Sequence, residues 1–93
     1  MAEYKVLLSK TAVTQLNLLE PGQAARVREV LRSLGTDPFH RRSGTDIRRL
    51  LTTDHPPLFR VRIGDYRAIY FVVGDEVRVT EIIHRSRGYK WLE

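Results

Sequence analysis

The apolar positions of the chain change their spacing from one end to the other. At the start, "YKVLL" alternates, with Tyr4, Val6 and Leu8 on one side and Lys5 and Leu7 on the other, which predicts a short strand over 4–8. Ser9 then suits an N-cap, and "KTAVTQLNLLE" follows as a helix whose apolar stripe is Ala12, Leu16 and Leu19. Pro21 suits the first turn of a second helix running to about Leu34. There Ala24, Val27, Leu31 and Leu34 recur at steps of three and four with Val30 beside them, while Arg26, Glu29 and Arg32 take the opposite face. Gly35 is the expected stop, at the C′ position. So short a connection predicts an antiparallel helical hairpin.

Beyond Gly35 the helical period is lost. "TDPFHRRSGTD" (36–46) reads as a loop, with Asp37-Pro38 ending helical geometry and Ser43-Gly44 a turn. "IRRLL" is a candidate short strand, and "TTDHPP" is a loop or a breaker at a sheet edge. Then the period becomes two. In "LFRVRI", Phe59, Val61 and Ile63 face one way and Leu58, Arg60 and Arg62 the other. Gly64-Asp65 closes a hairpin into "YRAIYFVV", whose nearly continuous apolar character suits a central strand covered on both sides. Gly74-Asp75 closes the next hairpin into "EVRVTEII" (76–83), and the tail "HRSRGYKWLE" follows at once. The order β-α-α-β-β-β predicts a single α+β domain over 1–93, with the helical hairpin on one face of a mostly antiparallel sheet and the other face partly open. Alternation then points Arg60 and Arg62 together, away from the helices.

Charge sharpens this outline. Sixteen basic residues, thirteen of them arginine, face eleven acidic ones, for a net charge of +5. Residues 41–93 hold eleven basic and seven acidic side chains, so they carry +4 of that excess. A basic surface confined to one region fits a polyanionic partner, nucleic acid first; it fits solubility or arginine-rich composition as well. At 93 residues the chain buries roughly 60–65 per cent of its unfolded surface, enough for a modest core without staples. It has no cysteine, which excludes disulfides and thiolate metal sites. "MAEYKVLLSK" lacks the apolar run of a secretory leader, and no segment approaches the ~20 apolar residues of a membrane span. The expectation is a soluble cytoplasmic protein that does not contact membrane.

Most catalytic signatures are missing. His40, His55 and His84 form no i, i+4 pair, and there is no phosphate loop and no G-x-S-x-G. No metal or other cofactor is expected. The tail is more telling: "HRSRGYKW" interleaves His84, Arg85, Arg87 and Lys90 with Tyr89 and Trp91, as single-stranded nucleic acid sites do. Trp91 fits better as a core-capping ring, whereas Tyr89 suits either role. Antiparallel pairing brings the tail toward the arginine-bearing hairpin. A guanidinium-rich site without a protein nucleophile suits one reaction, cleavage of RNA by its own 2′-hydroxyl. Arginines stabilise the added charge on the phosphate by bidentate bonds. They are poor bases, which leaves His84 or Tyr89 for proton transfer.

The segments "RVRIGDYRAIY" and "IIHRSRGYKW", preceded by a β-α-α unit, closely resemble the RelE/ParE superfamily of prokaryotic toxin–antitoxin toxins, and the RelE-like branch most. The resemblance covers essentially the whole chain. It implies a RelE-like fold and a ribosome-dependent mRNA endonuclease that cuts the A-site codon without metal, leaving a 2′,3′-cyclic phosphate and stopping translation. It also implies a cognate antitoxin that binds the toxin and, with it, operator DNA. By the same resemblance Arg60 and Arg62 match the paired basic residues before the glycine turn. Arg67 would bind the scissile phosphate. Arg85 matches the basic residue after the last strand, with Arg87 an alternative, and Tyr89 would stack on a base. His84 stands where some relatives carry a general acid or base, and Arg87 and Lys90 would bind RNA. ParE-type members share the fold but poison DNA gyrase, and a non-catalytic antitoxin- or DNA-binding module is a third possibility.

Overall fold

A computed structural model of the chain describes residues 3–50 and 56–87. The elements run β1 (Lys5–Leu8), α1 (Lys10–Asn17), α2 (Pro21–Ser33), β2 (Asp46–Arg49), β3 (Phe59–Ile63), β4 (Tyr66–Val73) and β5 (Glu76–His84). The strands form one five-stranded sheet in the order β1-β5-β4-β3-β2. It is antiparallel except for the β1–β5 pair, which runs parallel and carries the chain start to the sheet edge beside the last strand. The helices lie on one face, so the α+β sandwich expected from the pattern is the fold observed. The stretch read as "IRRLL" does form a strand, shifted to begin at Asp46.

Local chemistry explains the helix ends. The Ser9 hydroxyl accepts from the Ala12 N–H at 3.0 Å and donates to the Thr80 carbonyl at 2.7 Å, so the cap of α1 is also its tether to β5. The helix stops at Asn17, three residues before the end the pattern suggests. The Leu18 and Leu19 N–H groups turn back to the Gln15 and Leu16 carbonyls at 3.2 Å, a tighter turn that lets Pro21 open α2. Helix α2 ends as expected before Gly35, for a different reason. Gly35 does not have a positive φ. A Cβ on it would lie 3.1 Å from the Tyr4 carbonyl oxygen, and its own carbonyl accepts from the Tyr4 N–H at 2.8 Å. The glycine admits β1 to the end of α2 rather than supplying a left-handed cap.

The core lies between the hairpin and the sheet. Ala12, Leu16, Ala24, Val27, Leu31 and Leu34 meet Ile47, Val61, Ile63, Ala68, Tyr70, Val77, Val79 and Ile82. One irregularity sets which β5 side chains join them. The register shifts between Ile69 and Tyr70: Tyr70 pairs with Val79 and Ile69 with Glu81, leaving Thr80 as an extra residue. The bulge inverts the parity of β5, so Val77, Val79 and Ile82 face the helices while Glu81 and Ile83 face away. The Thr80 hydroxyl donates to the Ile69 carbonyl at 3.2 Å across the irregularity. On the outer face a small second cluster, Leu50 and Ile69 with Leu58 and Ile83, covers the middle of the sheet. Strand β4 is therefore covered on both sides, as its apolar run suggests.

Candidate functional site

The site is built on the β3–β4 turn. Gly64 and Asp65 are its two central residues, and Gly64 has a φ of +58°, the glycine-first pattern of a tight hairpin. Such a turn fixes register, and register places Arg62 directly opposite Arg67. Both stand on the outer face, because their neighbours Val61, Ile63 and Ala68 point into the core. Arg67 Nη1 donates to the Tyr66 carbonyl at 3.1 Å and reaches the Gly64 carbonyl at 3.4 Å, which holds the guanidinium against the turn. Arg85 joins from the end of β5. Its N–H donates to the Asp65 carbonyl at 2.7 Å and its Nε lies 3.6 Å from Asp65 Oδ1. Three arginines, one on β3, one on β4 and one just past β5, thus gather around one turn.

The two arginines of β3 share a face and little else. Arg62 is exposed, and its guanidinium makes no hydrogen bond or ion pair with another described residue. Arg60 is 8 % exposed; its Nη1 donates to the Asp46 carbonyl at 2.9 Å and lies 3.5 Å from Asp46 Oδ1. Its buried Nε has no hydrogen-bond partner among the described residues. Arg60 is therefore a buried tether to β2, and Arg62 is the cation presented to solvent.

His84 is not where the tail's proximity suggested. In register it opposes Tyr66, whose ring packs on the core, so its side chain leaves on the helical side of the sheet. The His84 and Tyr66 rings meet edge to face at 5.2 Å. His84 Nδ1 accepts from the Ser86 N–H at 3.1 Å, with the Ser86 hydroxyl 2.8 Å away, so a neutral ring carries its proton on Nε2. Arg87, also exposed, lines a concavity of about 220 Å³ with His84, Gln15 and Leu18 on that side. The expected gathering of His84 and Arg87 with Arg60 and Arg62 is thus corrected: Arg85 joins the outer cluster, while His84 and Arg87 flank α1. Tyr89, Lys90 and Trp91 lie outside the described residues.

Glu81 is a carboxylate that the sequence reading passed over. The bulge turns it outward, opposite Ile69 and diagonal to Arg67 across the β4–β5 pair. The signal was present in "VRVTEII", where core valines at 77 and 79 are followed by the core isoleucine at 82, a step of three that only a bulge reconciles with a strand.

Among the described residues, no group of three or more histidine or acidic side chains could hold a metal ion, and no helix is long and apolar enough to cross a membrane.

Residues 6–89 match the model of the ParE toxin family of type II toxin–antitoxin systems, parDE. The chain belongs to the RelE/ParE superfamily of type II toxin–antitoxin toxins. Its likeness runs to the RelE members in particular. RelE1 of Methanocaldococcus jannaschii, a protein named as a toxin, is 30% identical over 90 residues, spanning 95% of this chain and 97% of the relative. The structure superposes on the RelE–RelB complex of Pyrococcus horikoshii OT3 with a TM-score of 0.79 at 30% identity, over 92% of this chain and 99% of that one. The toxin–antitoxin complex RelBE2 of Mycobacterium tuberculosis gives 0.66 at 25% identity, over 90% of this chain and 100% of that one.

Proposed function

We propose that this protein is an mRNA endonuclease acting on the ribosome, inhibited by a cognate antitoxin. The observation that carries the reading is the convergence of Arg62, Arg67 and Arg85 around the Gly64–Asp65 turn. The reaction needs no protein nucleophile. The RNA 2′-oxygen bonds to the adjacent phosphorus and the P–O5′ bond breaks, leaving a 2′,3′-cyclic phosphate and a 5′-hydroxyl. One proton leaves the 2′-hydroxyl and one reaches the departing 5′-oxygen. Arg67 and Arg85 hold the non-bridging oxygens, where charge develops, and Arg62 supports the neighbouring backbone. Arg60 contributes by fixing β2 against β3. Tyr89 stacks on a base and takes part in proton transfer. The Pyrococcus and Mycobacterium structures it resembles are toxin–antitoxin complexes, RelE–RelB and RelBE2, which supports a RelB-like antitoxin as partner. Operator DNA enters through that complex.

The second reading, a DNA gyrase poison, is favoured by the parDE description of the matching family. Mapping message 5′ ends after expression, with gyrase supercoiling assayed in parallel, separates the two. Codon-phased cuts are expected. DNA breaks with intact message would establish the gyrase reading instead.

A further inference from the structure

Next to the arginine cluster lies a second basic concavity of about 480 Å³, lined by Arg26, Arg41, Arg42, Asp46, Arg62 and Gly64, with Gly44 and Thr45. Its four arginines are in different states. Arg42 is occupied within the fold: its guanidinium donates to the carbonyls of Ser33 at 3.0 Å, Asp37 at 2.9 Å and His40 at 2.7 Å, pinning the loop before β2. Arg41 Nε lies 3.4 Å from Asp46 Oδ1, which Arg60 also approaches at 3.5 Å. Among the described residues Asp46 is the one carboxylate lining the concavity, and two cations already neutralise it. Arg26 and Arg62 remain. Both are exposed, and neither guanidinium makes a hydrogen bond or ion pair with another described residue.

These two come from different layers, Arg26 from α2 and Arg62 from β3. They are brought to one concavity by the turn: a Cβ on Gly64 would stand 3.5 Å from Arg26 Nη1, so that guanidinium lies over the hairpin. Two unneutralised guanidinia facing one space repel each other, and an anion between them removes that repulsion. Arg62 also stands opposite Arg67, so the concavity continues the cationic cluster around the turn rather than forming an isolated patch. A ligand with regularly repeated phosphates fits a track of this kind, and arginine forks fit phosphate oxygens bidentately.

We propose that Arg26 and Arg62 form a second phosphate subsite, which binds an RNA phosphodiester outside the one being cleaved. The inference rests on the RNA-cleavage reading above. The phosphate belongs either to the message, beside the scissile position, or to the ribosomal RNA around it.

The test uses Arg26→Gln, which removes the charge while keeping a good helix former at an exposed position. Arg78→Gln is the control. It removes the same charge beside Glu76, at the far end of the sheet, where Arg78 Nη2 is 2.6 Å from Glu76 Oε1. On programmed ribosomes, Arg26→Gln raises the half-saturating protein concentration for cleavage about fivefold. It also makes the salt dependence shallower by about one unit of log–log slope. Arg78→Gln leaves both near wild type. Messages carrying a neutral methylphosphonate beside the cut site distinguish the sources. If the substitution weakens wild type but not Arg26→Gln, the phosphate is the message's. If Arg26→Gln lowers affinity equally on both messages, it is ribosomal. Either result supports the subsite. If Arg26→Gln matches Arg78→Gln while Arg67→Ala abolishes cleavage, the subsite is overturned and the RNA-cleavage reading stands. If wild type does not cleave at all, both fall.

Discussion

The two faces of the sheet are made from the same strands and do opposite things. The helical face is closed: Val61, Ile63, Ala68, Tyr70, Val77, Val79 and Ile82 are buried against the hairpin. Among the described residues the outer face is closed only at its middle, by Leu50, Leu58, Ile69 and Ile83, and toward the Gly64–Asp65 turn it presents arginine. Strand alternation thus separates folding from charge. Like charges opposite one another, such as Arg62 and Arg67, oppose strand pairing. They are tolerable here because the helical face supplies the burial that holds the strands together. The small outer cluster marks where the division is incomplete, and Arg60 sits at that boundary, buried beside it and tied to Asp46.

The largest effects should come from crossing this division in each direction. Leu34→Ala, in the helical layer, leaves a cavity and costs about 2–5 kcal/mol of stability in urea unfolding. Arg67→Ala, on the outer face, should lower cleavage on ribosomes about 100- to 1000-fold while holding the urea midpoint close to wild type. A parallel fall in stability for Arg67→Ala would mean that the two faces are not separable.

Arg60 and Arg62 sharpen the comparison within one strand. Arg60→Ala removes a buried hydrogen bond and the packing of its stem, and should destabilise by about 1–2 kcal/mol. Arg62→Ala should change stability by no more than about 0.5 kcal/mol and act on cleavage instead. Equal stability losses at the two positions would erase the distinction.

A smaller effect isolates the core alone. The Tyr70 hydroxyl donates to the Pro38 carbonyl at 2.6 Å and its ring stacks on Phe59 at 5.6 Å. Burial pushes the phenol's pKa up, with the Asp37 charge adding to the shift against Arg42 and Arg60. The folded protein therefore resists ionising a group that the unfolded chain ionises near pH 10, so stability falls as pH rises above about 10. Tyr70→Phe should cost about 1 kcal/mol at neutral pH and remove part of that alkaline loss, read from thermal midpoints between pH 8 and 11.

Much of this division was legible in the pattern. Steps of three and four gave the helical hairpin, and the two-residue Gly-Asp turns fixed the register that sets Arg62 against Arg67. What was not legible came from long-range geometry. The parallel β1–β5 pairing depends on contacts more than 70 residues apart in the chain, such as Val6 with Val77. The burial of Arg60 depends on where the loop before β2 places Asp46, and alternation alone treats Arg60 and Arg62 as equals. The side chosen by His84 follows from counting back through the antiparallel register to Tyr66, which the proximity of the tail to the hairpin does not supply. The outward turn of Glu81 depends on the Thr80 bulge.

In the proposed reaction the arginines around the Gly64–Asp65 turn stabilise attack by the RNA's own 2′-oxygen. Its most direct test is the chemistry of the cut end, produced by purified protein on programmed ribosomes depleted of the free metal that a nuclease would use. The expected product is a 2′,3′-cyclic phosphate in wild type, undiminished by that depletion and lost in Arg67→Ala. A 3′-hydroxyl end, or cyclic phosphate formed equally well by Arg67→Ala, would contradict it.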